Sequence, residues 1–315
     1  MNTAQVNRIA TRKTVQRAYD CMDAIFTSCG IRDLTEGIYD TPETSYDEAQ
    51  RAQRCWLLDQ IGCSAGSRLL DIGCGYGTLL AEAEQRGAAA IGITLSPKQA
   101  QWCRRRGLTA RVMDYRDVPG GWHNQFDCVV ANGSMEHFVQ LADVSAGRQD
   151  DIYREFFAIC HVLLDPSSKA RKLATTVIHL NRVHPQSFDL LKPPSYWPRG
   201  SDEFHAAMLE HTLGGFYPMD GQLERCAVPH FALTQAVDGT EDYRRTSEEW
   251  LQMIRRSFLD PRRLAEMLCK LFPRMFISPG RVVLTLRLLM TESWQWQFRG
   301  QHPPTKLWRH IWQYA

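Results

Sequence analysis

Nowhere in this sequence do about 18 apolar residues run together, so no transmembrane helix is expected. The first residues, "MNTAQVNRIATRK", lack the apolar centre of a signal peptide, and a cytoplasmic location is the expectation. Charge of one sign is also missing: 37 Lys and Arg stand against 35 Asp and Glu, a formal net charge of +2. That balance makes no case for a nucleic-acid partner, which usually shows a larger and clustered basic excess. Internal repeats and low-complexity segments are absent. The 10 cysteines are scattered singly with no C-x-x-C pair. They read as free, mostly buried thiols of a reducing compartment, and no metal site is expected.

What remains is an ordinary globular composition, 44% hydrophobic and 23% charged over 315 residues. That is enough chain for one large domain, or one with a sizeable insertion. Residues 4–29 place Val6, Ile9, Val15, Tyr19, Met22, Ile25 and Phe26 at helical spacing, so one or two helices are expected. A further helix spans 46–62 and closes at Gly62. The rhythm then changes. Strands are expected at 68–74, 88–95, 109–115, 126–133 and 172–180. Helices are expected at 78–87, 96–107 and 150–164, the second with Ser96 as N-cap and Pro97 in its first turn. This alternation indicates an α/β fold with a doubly wound, Rossmann-like sheet. From 181 to about 230, a segment rich in Pro, Gly and aromatics reads as an inserted cap of loops and short helices. A strand at 231–239, helices at 241–258 and 260–272, and a last strand at 281–293 bring the sheet to seven strands. The remainder, 294–315, holds four of the nine tryptophans. Mixed with Arg, Lys and His, they suit an interfacial membrane contact; an oligomer interface or a strapped-down terminus fits as well.

"LLDIGCGYGTLL" (69–80) joins the first strand to its helix. Gly73, Gly75 and Gly77 let the backbone turn tightly and let a ligand approach it. A dinucleotide loop would want G-x-G-x-x-G and an acid at the end of the second strand. Here Asp71 precedes the glycines, and the second strand ends in "ITLS", with Thr94, Ser96 and Gln99 as neutral polar groups.

This combination resembles the class I methyltransferases that use S-adenosylmethionine. "GITLSPKQ" (92–99), "MDYRDV" (113–118), "FDCVVANGSMEHF" (126–138), "YREFFAICHVLLDP" (153–166) and "DYRRTSEEWLQMI" (242–254) narrow the likeness to the cyclopropane-fatty-acid synthase and mycolic acid cyclopropane synthase family. "VQRAYDCMDAIF" (15–26) is similar to that family's N-terminal helix. The resemblance implies that Asp71, Gly73 and Gly75 face the methionine end of the cofactor. It implies that Thr94 and Gln99 bond the ribose, and that Leu95, Tyr115 and Arg116 border the adenine. A neutral polar pair suits a diol, and a strand-end aromatic offers a stacking face.

Methyl transfer from a sulfonium is largely a matter of positioning, with a base needed where the acceptor loses a proton. Members of the family hold a bicarbonate as that base with a Cys, a Glu, a His and a Tyr. Glu136 matches the Glu and Tyr243 the Tyr; His137 is a further catalytic candidate beside Glu136. The Cys segment corresponds to "TEGIYD" (35–40), which has none. The His falls near Thr175, with His179 four residues on, at the end of the expected strand. His184 flanks the following loop, and His205 and His211 read as cap-surface residues rather than metal ligands. Cap aromatics Phe188, Tyr196, Trp197, Phe204, Phe216 and Tyr217 either line an acceptor pocket or form a satellite core.

The resulting expectation is a methyltransferase acting on an apolar or olefinic, lipid-like acceptor. The alternative is a small-molecule C- or N-methyltransferase of secondary metabolism without bicarbonate-assisted cyclopropanation. The expected divisions are 1–62 as an N-terminal helical lid, 63–180 as cofactor-binding core, 181–230 as cap over the acceptor pocket, 231–293 as the rest of the core, and 294–315 as the Trp-rich tail.

Overall fold

The computed structural model describes Gln16 and residues 19–181 and 192–315. Val6, Ile9, Val15, Phe188 and His184 lie outside the described residues. A first helix, α1, covers 19–26. Helix α2 (Tyr46–Gln60) starts at a Ser45 cap, whose hydroxyl accepts from the Glu48 amide while the Glu48 side chain returns to Ser45. It ends before Gly62, whose φ of +70° only glycine adopts without strain.

The chain then alternates: β1 (Arg68–Ile72), α3 (Thr78–Gln85), β2 (Ala89–Thr94), α4 (Pro97–Arg105), β3 (Ala110–Val112), β4 (Cys128–Asn132), a short α5 (Leu141–Ser145), α6 (Gln149–Leu163) and β5 (Lys172–Leu180). The cap contributes α7 (Asp202–Leu213) and α8 (Gln222–Ala227). After β6 (Phe231–Asp238) come α9 (Thr240–Leu259), α10 (Pro261–Ile277), α11 (Pro279–Met290), a short α12 (Ser293–Trp296) and β7 (Thr305–Tyr314). Among the described residues, the strands form one seven-stranded sheet in the order β3-β2-β1-β4-β5-β7-β6. Strands β1 to β5 run parallel, and β7 lies antiparallel between β5 and β6. The order reverses between β1 and β4, so a crevice opens at their carboxyl ends, where doubly wound sheets take ligands.

Alternate strand residues feed two cores. Leu70, Ile72, Val129 and Val177 pack on Tyr153, Phe156 and Phe157 of α6. Leu69, Cys128, Val130 and Ala174 pack beneath α2, α3 and α4. A third core joins α1, α7, α9, α10 and α11 through Met22, Phe26, Met208, Trp250, Met267 and Val282.

The last strand is not where the sequence pattern puts it. Residues 281–290 are helix, not strand, and a turn at 291–292 leads into α12. Their buried positions, Val282, Thr285 and Leu288, recur every three residues behind Pro279 in the first turn. In so apolar a window, alternation and helical spacing coincide. The seventh strand is instead "TKLWRHIWQY" in the Trp-rich tail, which is thereby strapped down. Its cations hide its strand character. Arg309 is 2% exposed because its guanidinium donates to Glu36 at 2.8 Å and Asp242 at 2.8 Å. His179 falls inside β5. None of the cysteines is bonded to another.

Candidate functional site

Two pockets meet at the carboxyl edge of the sheet. The first lies over the glycine loop, where Gly73, Gly75 and Gly77 all take positive φ. A methyl at Gly73 would run into Ser134, so the loop closes directly on the segment after β4. All eight residues named for the cofactor line this pocket: Asp71, Gly73, Gly75, Thr94, Leu95, Gln99, Tyr115 and Arg116. Asp71 is buried, and that burial pushes its carboxyl up to about 8. Thr94 donates its hydroxyl to Gln99 at 2.8 Å, and the Ser96 amide donates to Thr94 at 3.2 Å. Ser96 also caps α4. Tyr115 lies 4.4 Å from the Phe138 ring, centroid to centroid. The Arg116 guanidinium sits 4.6 Å from the Tyr115 ring centroid and donates to Glu155 at 2.9 Å. The Tyr115 hydroxyl is buried without a hydrogen-bond partner.

The second pocket is mostly apolar. Met22, Leu34, Ile178, Leu209 and Leu213 form its aliphatic wall; Phe216, Tyr217, Tyr243, Trp294 and Trp296 form its aromatic one. Glu136 and Tyr243 line it, and His137 lines both pockets. Tyr19, Leu34 and Gly133 are the other shared walls, so the pockets adjoin across the Tyr19–His137 pair.

Glu136 and His137 diverge although adjacent in sequence. Glu136 accepts from the Ile178 amide at 2.9 Å through Oε1. Its Oε2 is buried with no partner. Burial, with the Glu36 charge adding to it, pushes the carboxyl up to about 7. His137 Nδ1 lies 3.2 Å from the Gly214 carbonyl, which only accepts, so Nδ1 carries the proton. Nε2 then accepts from the Tyr19 hydroxyl at 2.6 Å. Burial lowers this imidazole to about 4, which keeps it neutral. Tyr243 donates to the Leu34 carbonyl at 3.2 Å and stacks on Phe298.

The cap reaches the site through Gly214 and Gly215. A side chain at Gly215 would collide with the Glu136 carbonyl oxygen, so only glycine lets the cap seat there. Phe216 and Tyr217 line the second pocket, Phe204 joins the third core, and Tyr196 is exposed.

The other candidate histidines are engaged elsewhere. His179 Nδ1 lies 3.0 Å from the Val177 carbonyl, and its ring packs edge-on to His310. His205 bonds Ser293 and stacks on Trp296. His211 bonds the Lys192 carbonyl. Among the described residues, no three His, Cys, Asp or Glu are grouped to hold a metal.

Several wall residues were not foreseen. Tyr19, Arg32, Asp33, Tyr76 and Asp114 line the first pocket. Asp33 accepts from Thr78 and pairs with Arg54. Tyr19, Tyr76 and Asp114 stand in quoted motifs and so carried a local signal; Arg32 and Asp33 arrive through long-range packing.

A seven-stranded doubly wound sheet with a glycine loop at its switch point and a second pocket beyond it is the fold of the Rossmann-like methyltransferases. Within that class the chain belongs to the mycolic acid cyclopropane synthetase family, whose model matches residues 6–266. A probable fatty acid methyltransferase of Mycobacterium tuberculosis is 35% identical over 111 residues, 33% of this chain and 25% of that one. Cyclopropane mycolic acid synthase 2 of Mycobacterium leprae is 32% identical over 168 residues, 50% of this chain and 52% of that one. The chain thus aligns with a quarter to about half the length of these two relatives. Mycolic acid cyclopropane synthase CmaA1, solved as a complex with SAH and CTAB, superposes with a TM-score of 0.71 at 19% identity, covering 96% of this chain and 98% of that one.

Proposed function

We propose that this chain is an S-adenosylmethionine-dependent methyltransferase that passes a methyl or methylene group to an apolar or olefinic, lipid-like acceptor. The observation that carries the reading is the pair of adjoining pockets: one built on the glycine loop with polar groups around it, the other mostly apolar with the unpartnered Oε2 atoms of Glu136 and Glu210. Family membership and the SAH complex of CmaA1 support the cofactor.

The first pocket fits such a cofactor chemically. Asp71 is a buried acid with no cationic neighbour among the causes of its raised pKa, and the cofactor's methionine end is cationic. Thr94 and Gln99 are a neutral pair suited to a diol, and Tyr115 with Phe138 gives a flat face suited to adenine. The cofactor supplies an activated methyl; the protein's contribution is to hold the acceptor in line with it and to keep water out. Within the second pocket, aromatic faces stabilise positive charge developing on an alkene acceptor. Glu136 Oε2, when ionised, is the oxygen that can take a proton from a carbon next to the cationic centre, such as the transferred methyl, whose C–H electron pair then quenches the charge. His137 is neutral with both nitrogens engaged, so its role is to hold Tyr19 and the cap in place. In this reading the segment up to 62 acts as a lid, 63–180 binds the cofactor and 181–230 roofs the acceptor.

Bicarbonate does not fit. Segment 35–40 has no cysteine, Thr175 accepts from Trp312 at 3.0 Å, and Tyr243 is committed to Leu34. The absent cradle favours a second reading, a small-molecule C- or N-methyltransferase, because an amine acceptor needs little help from a base. Glu210, a second and half-buried carboxyl in this pocket pushed up to about 7 by desolvation, suits an amine as well. Incubation with labelled S-adenosylmethionine and separate lipid and amine pools tests both: label in the lipid fraction supports the first, label in amines the second, and no label in either refutes both.

A further inference from the structure

Helix α10 is apolar on two adjoining sides. Met267 and Leu271 face inward and pack in the third core beside α1. On the outer side Leu268, Phe272, Met275 and Phe276 are 57%, 63%, 54% and 75% exposed. Their spacing of three and four residues sets them on one stripe. Phe272 and Phe276 already touch edge to face, with centroids 5.2 Å apart. The exposure includes Ile277 at the end of the helix and continues past both ends, in Phe258 and Leu259 of α9 and in Val283 and Met290 of α11. Soluble monomers seldom leave so many large apolar side chains uncovered along one helix.

The charge around this surface says what covers it. Between 255 and 290 there are eight Arg and Lys residues against two acids, Asp260 and Glu266, in a chain whose net charge is only +2. Arg255, Arg256, Arg262 and Arg263 are exposed around Phe258 and Leu259. A second copy of the chain would bring like charges face to face. An anionic lipid surface would instead complement the cations while its acyl region takes the aromatic stripe, as for helices that lie in the membrane interface. Most of the patch lies beyond residue 266, where the family match ends. No helix of the described residues is long and apolar enough to cross a membrane, so contact here means lying on the surface.

We propose that the outer face of α10, with the adjoining ends of α9 and α11, docks this protein on an anionic lipid surface. The surface is separate from both pockets and does not depend on the identity of the acceptor.

The test is flotation of the full-length protein with phosphatidylglycerol–phosphatidylcholine vesicles and with pure phosphatidylcholine vesicles. The wild type floats with the anionic vesicles, and about 0.5 M salt weakens that binding. A triple variant, Phe272→Ser, Phe276→Ser and Ile277→Ser, loses about tenfold in vesicle affinity. It keeps its thermal midpoint and its calorimetric cofactor affinity, since all three side chains point outward. Equal flotation of wild type and triple variant, or no flotation of either, would overturn the proposal. So would light scattering that shows a dimer which the triple variant splits into monomers.

Discussion

At the scale of single residues, the two carboxyl groups at the strand ends differ in what surrounds them, and their tests differ accordingly. Asp71 is held up to about 8 by burial, so near pH 7 it carries a proton until a cation arrives. Calorimetry in buffers of different ionisation enthalpy should show proton release when the cofactor binds at pH 7, and Asp71→Ala should abolish binding. Unchanged affinity in that variant would remove Asp71 from the cofactor site. Glu136, near 7, is neutral below that pH and basic above it. If it accepts the acceptor's proton, turnover should climb as pH rises through about 7. Glu136→Gln should flatten that limb and cut turnover by roughly 10²-fold or more, with cofactor affinity changed only a few-fold. These residues were legible because each sits in a motif at the end of a strand. Arg32 and Asp33 were not, since they fall outside every quoted motif and reach the glycine loop only through the fold.

At the scale of elements, the alternating first half was legible because buried parallel strands and their helices carry opposite periodicities and clear glycine stops. The seventh strand was not. Its buried Arg309 mimics surface polarity in the sequence, and only the fold supplies Glu36 and Asp242 as partners. Removing one side of such a buried pair typically costs 3–5 kcal/mol. Arg309→Met should therefore lower the denaturant midpoint strongly, by about that much, whereas a surface substitution such as Arg154→Met should shift it by less than about 0.5 kcal/mol. Strands β5 and β7 also carry His179 and His310, lowered by burial to about 4 and 3. Unfolded histidines bind protons near 6.5, so this part of the stability is complete above that pH and is lost as pH falls toward 4. Urea midpoints at pH 7 and pH 5 should differ less in a His179→Gln/His310→Gln variant than in the wild type; an equal difference would remove the pair from the acid dependence.

At the scale of the whole molecule, function follows from elements far apart in sequence meeting at one edge. The glycine loop and β2 build the first pocket, α1 and the turn at 133–137 after β4 build the partition, and the cap with α9 and α12 builds the second pocket. The motifs supplied eight of the first pocket's walls, and the aromatic-rich insertion hinted at the second. What the sequence could not convey is the seat between them, where Gly214 and Gly215 settle on His137 and Glu136. The central claim is that these two pockets work as donor and acceptor sites of one reaction. The most direct measurement mixes the purified chain, S-adenosylmethionine carrying a labelled methyl group and a total lipid extract, then follows S-adenosylhomocysteine and the label together. The account predicts labelled lipid carrying one added CH2, formed in step with S-adenosylhomocysteine and lost in Glu136→Gln. Label that stays on the donor with every acceptor offered, although the cofactor binds, would contradict it.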